Sequence, residues 1–141
     1  MTAEEAERPL PRFPEPDTAG FWRRTAARQL AYQRCDQCTR VVFYPRAVCP
    51  ACGRRTLSLQ VSAGLGTIYS ATLIRRAGDP FFLRRVPYFL AYIDLDEGFR
   101  MLSEVIDAAD HTASSLVGKR VEVSWEEHHE VSIPLFRPIA T

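Results

Sequence analysis

The chain has 141 residues, 46% of them hydrophobic and 25% charged, with a formal net charge of +1; this excludes a disordered segment and suits one ordinary domain or two very small ones. So balanced a charge argues against a nucleic-acid partner, because a protein that lives on phosphate backbones needs a strong positive field. No run nears the roughly eighteen apolar residues of a membrane span, and Glu4, Glu5 and Glu7 stand where a secretory leader would be apolar, so the expectation is a cytoplasmic protein.

Residues 1–16 carry Pro9, Pro11, Pro14 and Pro16 among charged residues, a composition that holds neither helix nor sheet and predicts a flexible arm. Asp17 or Thr18 can cap a helix over 17–34, in which Trp22, Ala26 and Leu30 recur every four residues as a narrow apolar stripe. A cysteine-bearing segment, 35–56, follows. From Thr56 to Arg76 the β-branched and aromatic residues of 57–141 begin, forming one long first strand bent at Gly64 and Gly66. Gly78, Asp79 and Pro80 make a turn. Val86 to Leu95 is the second strand and Phe99 to Ile106 the third, joined through Asp96, Glu97 and Gly98. Residues 107–118 are irregular or briefly helical, and Lys119–Glu127 and Ser132–Arg137 close the series, with Pro134 fit only for an edge or strand end. Five short strands with a bent first one predict a mainly β protein ending in a five-stranded OB-fold barrel.

Cys35, Cys38, Cys49 and Cys52 are the only cysteines. Two Cys-x-x-Cys turns facing each other deliver four soft ligands to one tetrahedral ion, with the ten residues from Thr39 to Val48 long enough for the hairpin between them. The expected cofactor is structural Zn²⁺, since four protein ligands leave no open position for water or substrate. Iron is the alternative, because Cys49-Pro50-Ala51-Cys52-Gly53 also reads as a rubredoxin knuckle. Disulfide or thiol redox chemistry is disfavoured, as neither pair opens a helix after a strand.

Catalytic groups are scarce. His111, His128 and His129 have no nucleophile in a recognisable spacing. Asp94, Asp96 and Glu97 belong to a hairpin turn rather than a cation site. Gly64-x-Gly66 lacks the following helix of a dinucleotide fingerprint, and Gly118-Lys119 lacks the upstream glycine of a P-loop. Arg75, Arg76, Arg84 and Arg85 bracket the first barrel loop, where guanidinium groups could meet the phosphates of coenzyme A. On the second strand Phe89, Ala91, Ile93 and Leu95 form one apolar face, while Tyr88, Leu90 and Tyr92 form another that must meet the N-terminal helix through Phe21 and Trp22, or a partner protein.

These residues together resemble a known family. Leu30, Gln33, Arg34 and Cys35, then Pro45, Arg46, Cys49, Pro50, Cys52 and Gly53, match its metal segment. Gly64, Gly66, Thr67, Tyr69 and Ser70, Pro87 and Tyr88, Leu95, Glu97 and Gly98, Gly118, Val121 and Val123, and Pro134, Phe136 and Pro138 match the rest. The chain is thereby similar, from about Phe21 to Pro138, to the acyl-CoA-associated family that joins a rubredoxin-like zinc ribbon to an OB-fold. The resemblance implies a non-catalytic accessory subunit of a thiolase-fold or related hydratase enzyme in a hetero-oligomer. Such a partner handles acyl-CoA thioesters in condensation, or in thiolytic or retro-aldol cleavage such as steroid side-chain degradation. Two other readings stand beside it: a single-strand nucleic-acid binder stacking bases on Tyr69, Tyr88, Tyr92 or Phe99, and an iron-bearing electron carrier.

Overall fold

The computed structural model describes residues 6–140. Helix α1, Pro16–Thr25, starts on a proline, whose missing N–H costs nothing in a first turn. Its N-cap is Glu15 rather than Asp17 or Thr18. The helix also stops well short of residue 34. Arg28 takes a left-handed φ of 58°, and Ala31–Cys35 leaves the turn as strand β1.

Strand β1 centres a three-stranded antiparallel sheet with β2, Val41–Val42, on one side and β3, Leu57–Val61, on the other. The long first strand expected from Thr56 to Arg76 is therefore two strands in two sheets. β3 serves the cysteine-bearing sheet, and β4, Leu65–Ile74, opens the barrel. The break falls at Gly64, whose φ of +74° and close approach to Val123 suit only glycine.

The barrel closes in the order β4, β5 (Tyr88–Leu95), β6 (Arg100–Val105), β8 (Ser132–Pro138), β7 (Arg120–Glu127), with β7 returning to β4. Two short helices sit in its connections. α2, Pro80–Leu83, is capped by Asp79, and α3, Ala113–Leu116, by a Thr112–Ser115 capping box. β6 and β8 run parallel and pair only at Val105 and Phe136. Pro134 thus lies where its missing N–H is not needed, and its carbonyl accepts from Ser103 Oγ at 2.7 Å. The fold is mainly β: a helix, a cysteine-bearing ribbon and a closed five-stranded OB barrel.

Aromatic rings join the parts into one core. Phe43 of the ribbon stacks on Phe99 of the barrel with centroids 4.8 Å apart, Tyr32 stacks on the same ring at 5.1 Å, and Phe21 of α1 meets Phe43 edge-on at 5.9 Å. A fully buried Phe is worth about 1.5–3 kcal/mol relative to an exposed one, so this run outweighs any single surface contact in holding helix, ribbon and barrel together. Thr25, fully buried, accepts from Ser132 N–H at 3.1 Å and so pins the end of α1 to β8.

The segment before α1 forms neither helix nor strand, in keeping with its prolines, but it is not a free arm over residues 6–15; the first five residues of the expected arm lie outside the described residues. Ala6 is buried, and the Arg8 side chain, 7% exposed, reaches Glu104 and Glu126 of the barrel.

Candidate metal centre and groove

Each knuckle turn is made by its own backbone. Thr39 N–H donates to Cys35 O and Gly53 N–H to Cys49 O, both at 2.9 Å. Thr39 and Gly53 take φ of 64° and 76°, which bends each turn so that its two sulfurs converge. The four Sγ atoms lie within 4.8 Å of one another. Cys35 and Cys52 are 3.7 Å apart and Cys38 and Cys49 3.6 Å, close to the roughly 3.8 Å edge of a tetrahedron with metal–sulfur bonds of about 2.3 Å. No pair is bonded as a disulfide, and the donor set fits a thiophilic ion.

The surroundings favour thiolates at two positions. Cys35 is lowered to about 6 by the N–H of Cys38 and the hydroxyl of Thr56. The N–H of Cys52 lowers Cys49. Cys38 receives a lowering contribution from the amide of Arg40, yet burial and the hydrogens it shares with the other three sulfurs push it up to about 11. Four thiols crowded this closely compete for charge, and a divalent cation relieves that competition.

A second feature is a groove of about 460 Å³ between α1, the ribbon and the outer face of β5, β6 and β8. Phe21, Trp22, Phe43, Tyr88, Leu90 and Leu135 contribute apolar walls, and Arg8 and Glu104 add a charged pair to the lining. The outward face of β5 looks across this groove toward α1: Trp22 and Tyr88 both line it, while Tyr92, 45% exposed, stands outside its lining. Phe21 lines the groove from the core side. It is 5% exposed and belongs to the core, because its ring fills the space between Trp22 and Phe43.

The four arginines of the first barrel loop are not one cluster of equals. Arg75 and Arg76 are exposed just after β4. Arg84 donates to the carbonyl of Ala6 at 3.1 Å. Arg85 is held by Glu104 at 3.0 Å and Glu126 at 2.9 Å, so its charge is already answered. Glu104, Glu126 and Arg8 are invisible to sequence reasoning, because nothing local relates residue 8 to residues 104 and 126. The hint in the sequence is an acid, Glu104, in a strand that also carries Met101, Leu102 and Val105.

His128 Nε2 lies 2.9 Å from Glu126, and His111 Nδ1 lies 3.4 Å from Ser115 Oγ in an exposed turn where Ser115 is already committed to the α3 capping box. Asp96 pairs with Arg120 at 2.7 Å, and Glu97 accepts from Ser62 Oγ and Ala63 N–H. These carboxylates brace the barrel. Among the described residues no helix is long and apolar enough to cross a membrane.

Comparison with known proteins agrees with both halves of the molecule. Residues 22–58 match the family model described as "ChsH2, rubredoxin-like zinc ribbon domain", and residues 60–126 match "ChsH2, C-terminal OB-fold domain". A "DUF35 domain-containing scaffold protein" of Methanothermobacter thermautotrophicus is 30% identical over 81% of this chain and 85% of its own length. A "Probable enoyl-CoA hydratase alpha subunit" of Thermomonospora curvata is 29% identical over 97% of this chain, which spans only 43% of that relative. Among solved structures, a chain of the "Ltp2-ChsH2(DUF35) aldolase" superposes with a TM-score of 0.79 at 29% identity, covering 91% of this chain and 98% of the other. A DUF35 protein of Sulfolobus solfataricus, at 13% identity and a TM-score of 0.60, shares the fold.

Proposed function

Since the chain belongs to the DUF35 family, with the ChsH2-type zinc ribbon and OB-fold, we propose that it is a non-catalytic subunit of a thiolase-fold enzyme acting on acyl-CoA thioesters. The enzyme makes or breaks a carbon–carbon bond by condensation, thiolysis or retro-aldol cleavage, steroid side chains being one source of substrate. The observation that carries this reading is the likeness along nearly the whole chain to the DUF35 component of an aldolase assembly. The groove between α1 and β5 supports it, since apolar walls with half-buried Trp22 and exposed Tyr92 at hand are what a protein partner covers.

In this reading Zn²⁺ fills the four-cysteine site and acts as a staple, fixing the ribbon whose Phe43 anchors the groove. Partner contact falls to Trp22, Tyr88 and Tyr92. The phosphates of coenzyme A fall to the arginines of the first barrel loop, Arg75, Arg76, Arg84 and Arg85, of which Arg75 and Arg76 are exposed just after β4. The nucleic-acid reading loses support from the same geometry: Phe99 is buried, Tyr88 lines the groove, and the ring of Tyr69 carries the guanidinium of Arg100 at 3.5 Å from its centroid.

The test is purification of the tagged chain from its own cells, with mass spectrometry of the proteins that accompany it and of its metal. A stoichiometric acyl-CoA enzyme is the expected companion; a chain that purifies alone or with nucleic acid rejects the subunit reading.

A further inference from the structure

Among the described residues, several arginines outside the ribbon are spent on acids, and none within it is. Arg8, Arg28, Arg85, Arg100, Arg120 and Arg137 each bond an Asp or Glu. All of them lie outside residues 34–55. Within that span Arg34, Arg40, Arg46, Arg54 and Arg55 face a single acid, Asp36, whose two carboxylate oxygens each take the hydroxyl of Ser58 at 2.7 Å. None of the five forms an ion pair among the described residues. The net charge of +1 therefore conceals a basic ribbon and an acidic remainder.

The knuckle turns tie down the side chains of Arg34 and Arg54 and the backbones of Arg40 and Arg54. Arg34 donates to Thr39 O at 3.0 Å and Arg54 to Gln37 Oε1 at 2.9 Å. The carbonyls of Arg40 and Arg54 accept the N–H groups of Cys35 and Cys49, both at 2.9 Å, so their backbones are part of the cysteine turns themselves. Arg40, Arg54 and Arg55 are exposed. Their charge is not spent on the sulfurs, whose donors are backbone N–H groups and the Thr56 hydroxyl. A guanidinium fork, whether held as in Arg34 and Arg54 or free as in Arg40 and Arg55, is matched by a carboxylate or a phosphate. Phosphate chains with bases also need a stacking surface, and no aromatic residue occurs in 33–42 or 45–68. Phe43 and Tyr44, which lie between, face the groove.

We propose that the cysteine turns present an arginine surface, centred on Arg40, Arg54 and Arg55, that docks a carboxylate-rich face of the partner protein. This rests on the subunit reading for the identity of the partner but not for the chemistry of the surface. The ribbon then supplies orientation and association rate, and the groove supplies the apolar contact.

The experiment is fluorescence anisotropy of the metal-loaded full chain with a labelled poly-glutamate peptide and, separately, a labelled oligothymidylate, each over a series of salt concentrations. The chain should bind the peptide more tightly than the oligonucleotide, with affinity falling as salt rises. Arg40→Glu with Arg55→Glu should weaken peptide binding about tenfold, because two charge-assisted hydrogen-bonding groups are replaced by charges that repel the peptide. The same charge change made elsewhere, Arg12→Glu with Arg23→Glu, should weaken it less than about twofold. Metal content reports whether each variant is folded, and the milder Arg40→Gln with Arg55→Gln should show a smaller loss in the same direction. Tighter oligonucleotide binding, no peptide binding, or equal loss in both charge-reversed variants would overturn the proposal. The assay contains no partner enzyme, so a ribbon that binds the peptide in a chain that purifies alone would reject the subunit reading and leave the arginine surface standing.

Discussion

Arg8 and Arg85 grip the same two carboxylates, each guanidinium donating to both Glu104 and Glu126. Both also lie over the ring of Phe81, at 5.0 and 5.2 Å from its centroid. The ring of alternating charges ties the first described residues to the α2 loop and to strands β6 and β7. Arg8→Ala would leave Glu104, 6% exposed, with half its counter-charge, at a cost on the order of 3 kcal/mol. Arg8→Lys should recover little of that, since an ammonium cannot bridge both carboxylates in one plane. Denaturant unfolding of the two variants checks this; stability within about 0.5 kcal/mol of the parent would mean the clamp is ornamental.

The same clamp gives the molecule an acid limit. Burial works to raise Glu126, but hydrogen bonds from Arg8, Arg85 and His128 outweigh it and hold its carboxyl at about 2, against an ordinary value of 4.5. A carboxylate depressed on folding adds stability above its unfolded value and loses it as pH falls toward the folded one. Stability should therefore decline between pH 4.5 and about 2. Glu126→Gln should flatten that part of the profile and be less stable than the parent at neutral pH. An unchanged slope in the variant would assign the acid limit to other groups.

Gly64 and Gly66 should resist substitution for different reasons. A Cβ at Gly64 would stand 2.3 Å from Val123 Cγ1 on a backbone with φ +74°, and one at Gly66 would stand 2.6 Å from the carbonyl oxygen of Asp94. Gly64→Ala meets strain plus a clash with a side chain, and Gly66→Ala meets main chain that cannot step aside. Each should cost about 2–4 kcal/mol, read by thermal melting. Gly53→Ala meets nothing within 4 Å and carries only the left-handed penalty, so its cost should be about 1 kcal/mol.

What can be read beforehand tracks how local the determining physics is. The cysteine turns are legible because two spacings of three residues define the whole donor set. The two faces of β5 are legible from alternation alone. Helix α1 reads too long because Trp22, Ala26 and Leu30 keep a four-residue step across the turn at Arg28, where the chain has already left the helix. The break between β3 and β4 is hidden because a positive-φ glycine such as Gly64 reads equally well as a bend within one strand, and it is the pairing of Leu57–Val61 with β1 that assigns β3 to another sheet. Phe21 goes to the core and Arg8 to a buried clamp through contacts that no local pattern encodes.

Metal removal should unfold the ribbon first. Cys38→Ser or Cys52→Ser takes away one of four ligands, and metal content and soluble yield should fall together. The loosened ribbon should release Phe43 from Phe99, visible as a loss of near-ultraviolet aromatic dichroism. A metal-free variant with the parent's dichroism and yield would contradict the staple role.

The role proposed for this chain is to complete an enzyme whose catalytic groups lie on another polypeptide. It is tested most directly by the acyl-CoA turnover of the co-purified partner, assayed alone, with the parent chain, and with a Trp22→Ala, Tyr92→Ala double variant that keeps its metal. Turnover that requires the parent chain and falls at least about tenfold with the variant, because two proposed partner contacts are removed, is the predicted result. A partner fully active alone, or turnover by the isolated chain itself, would contradict it.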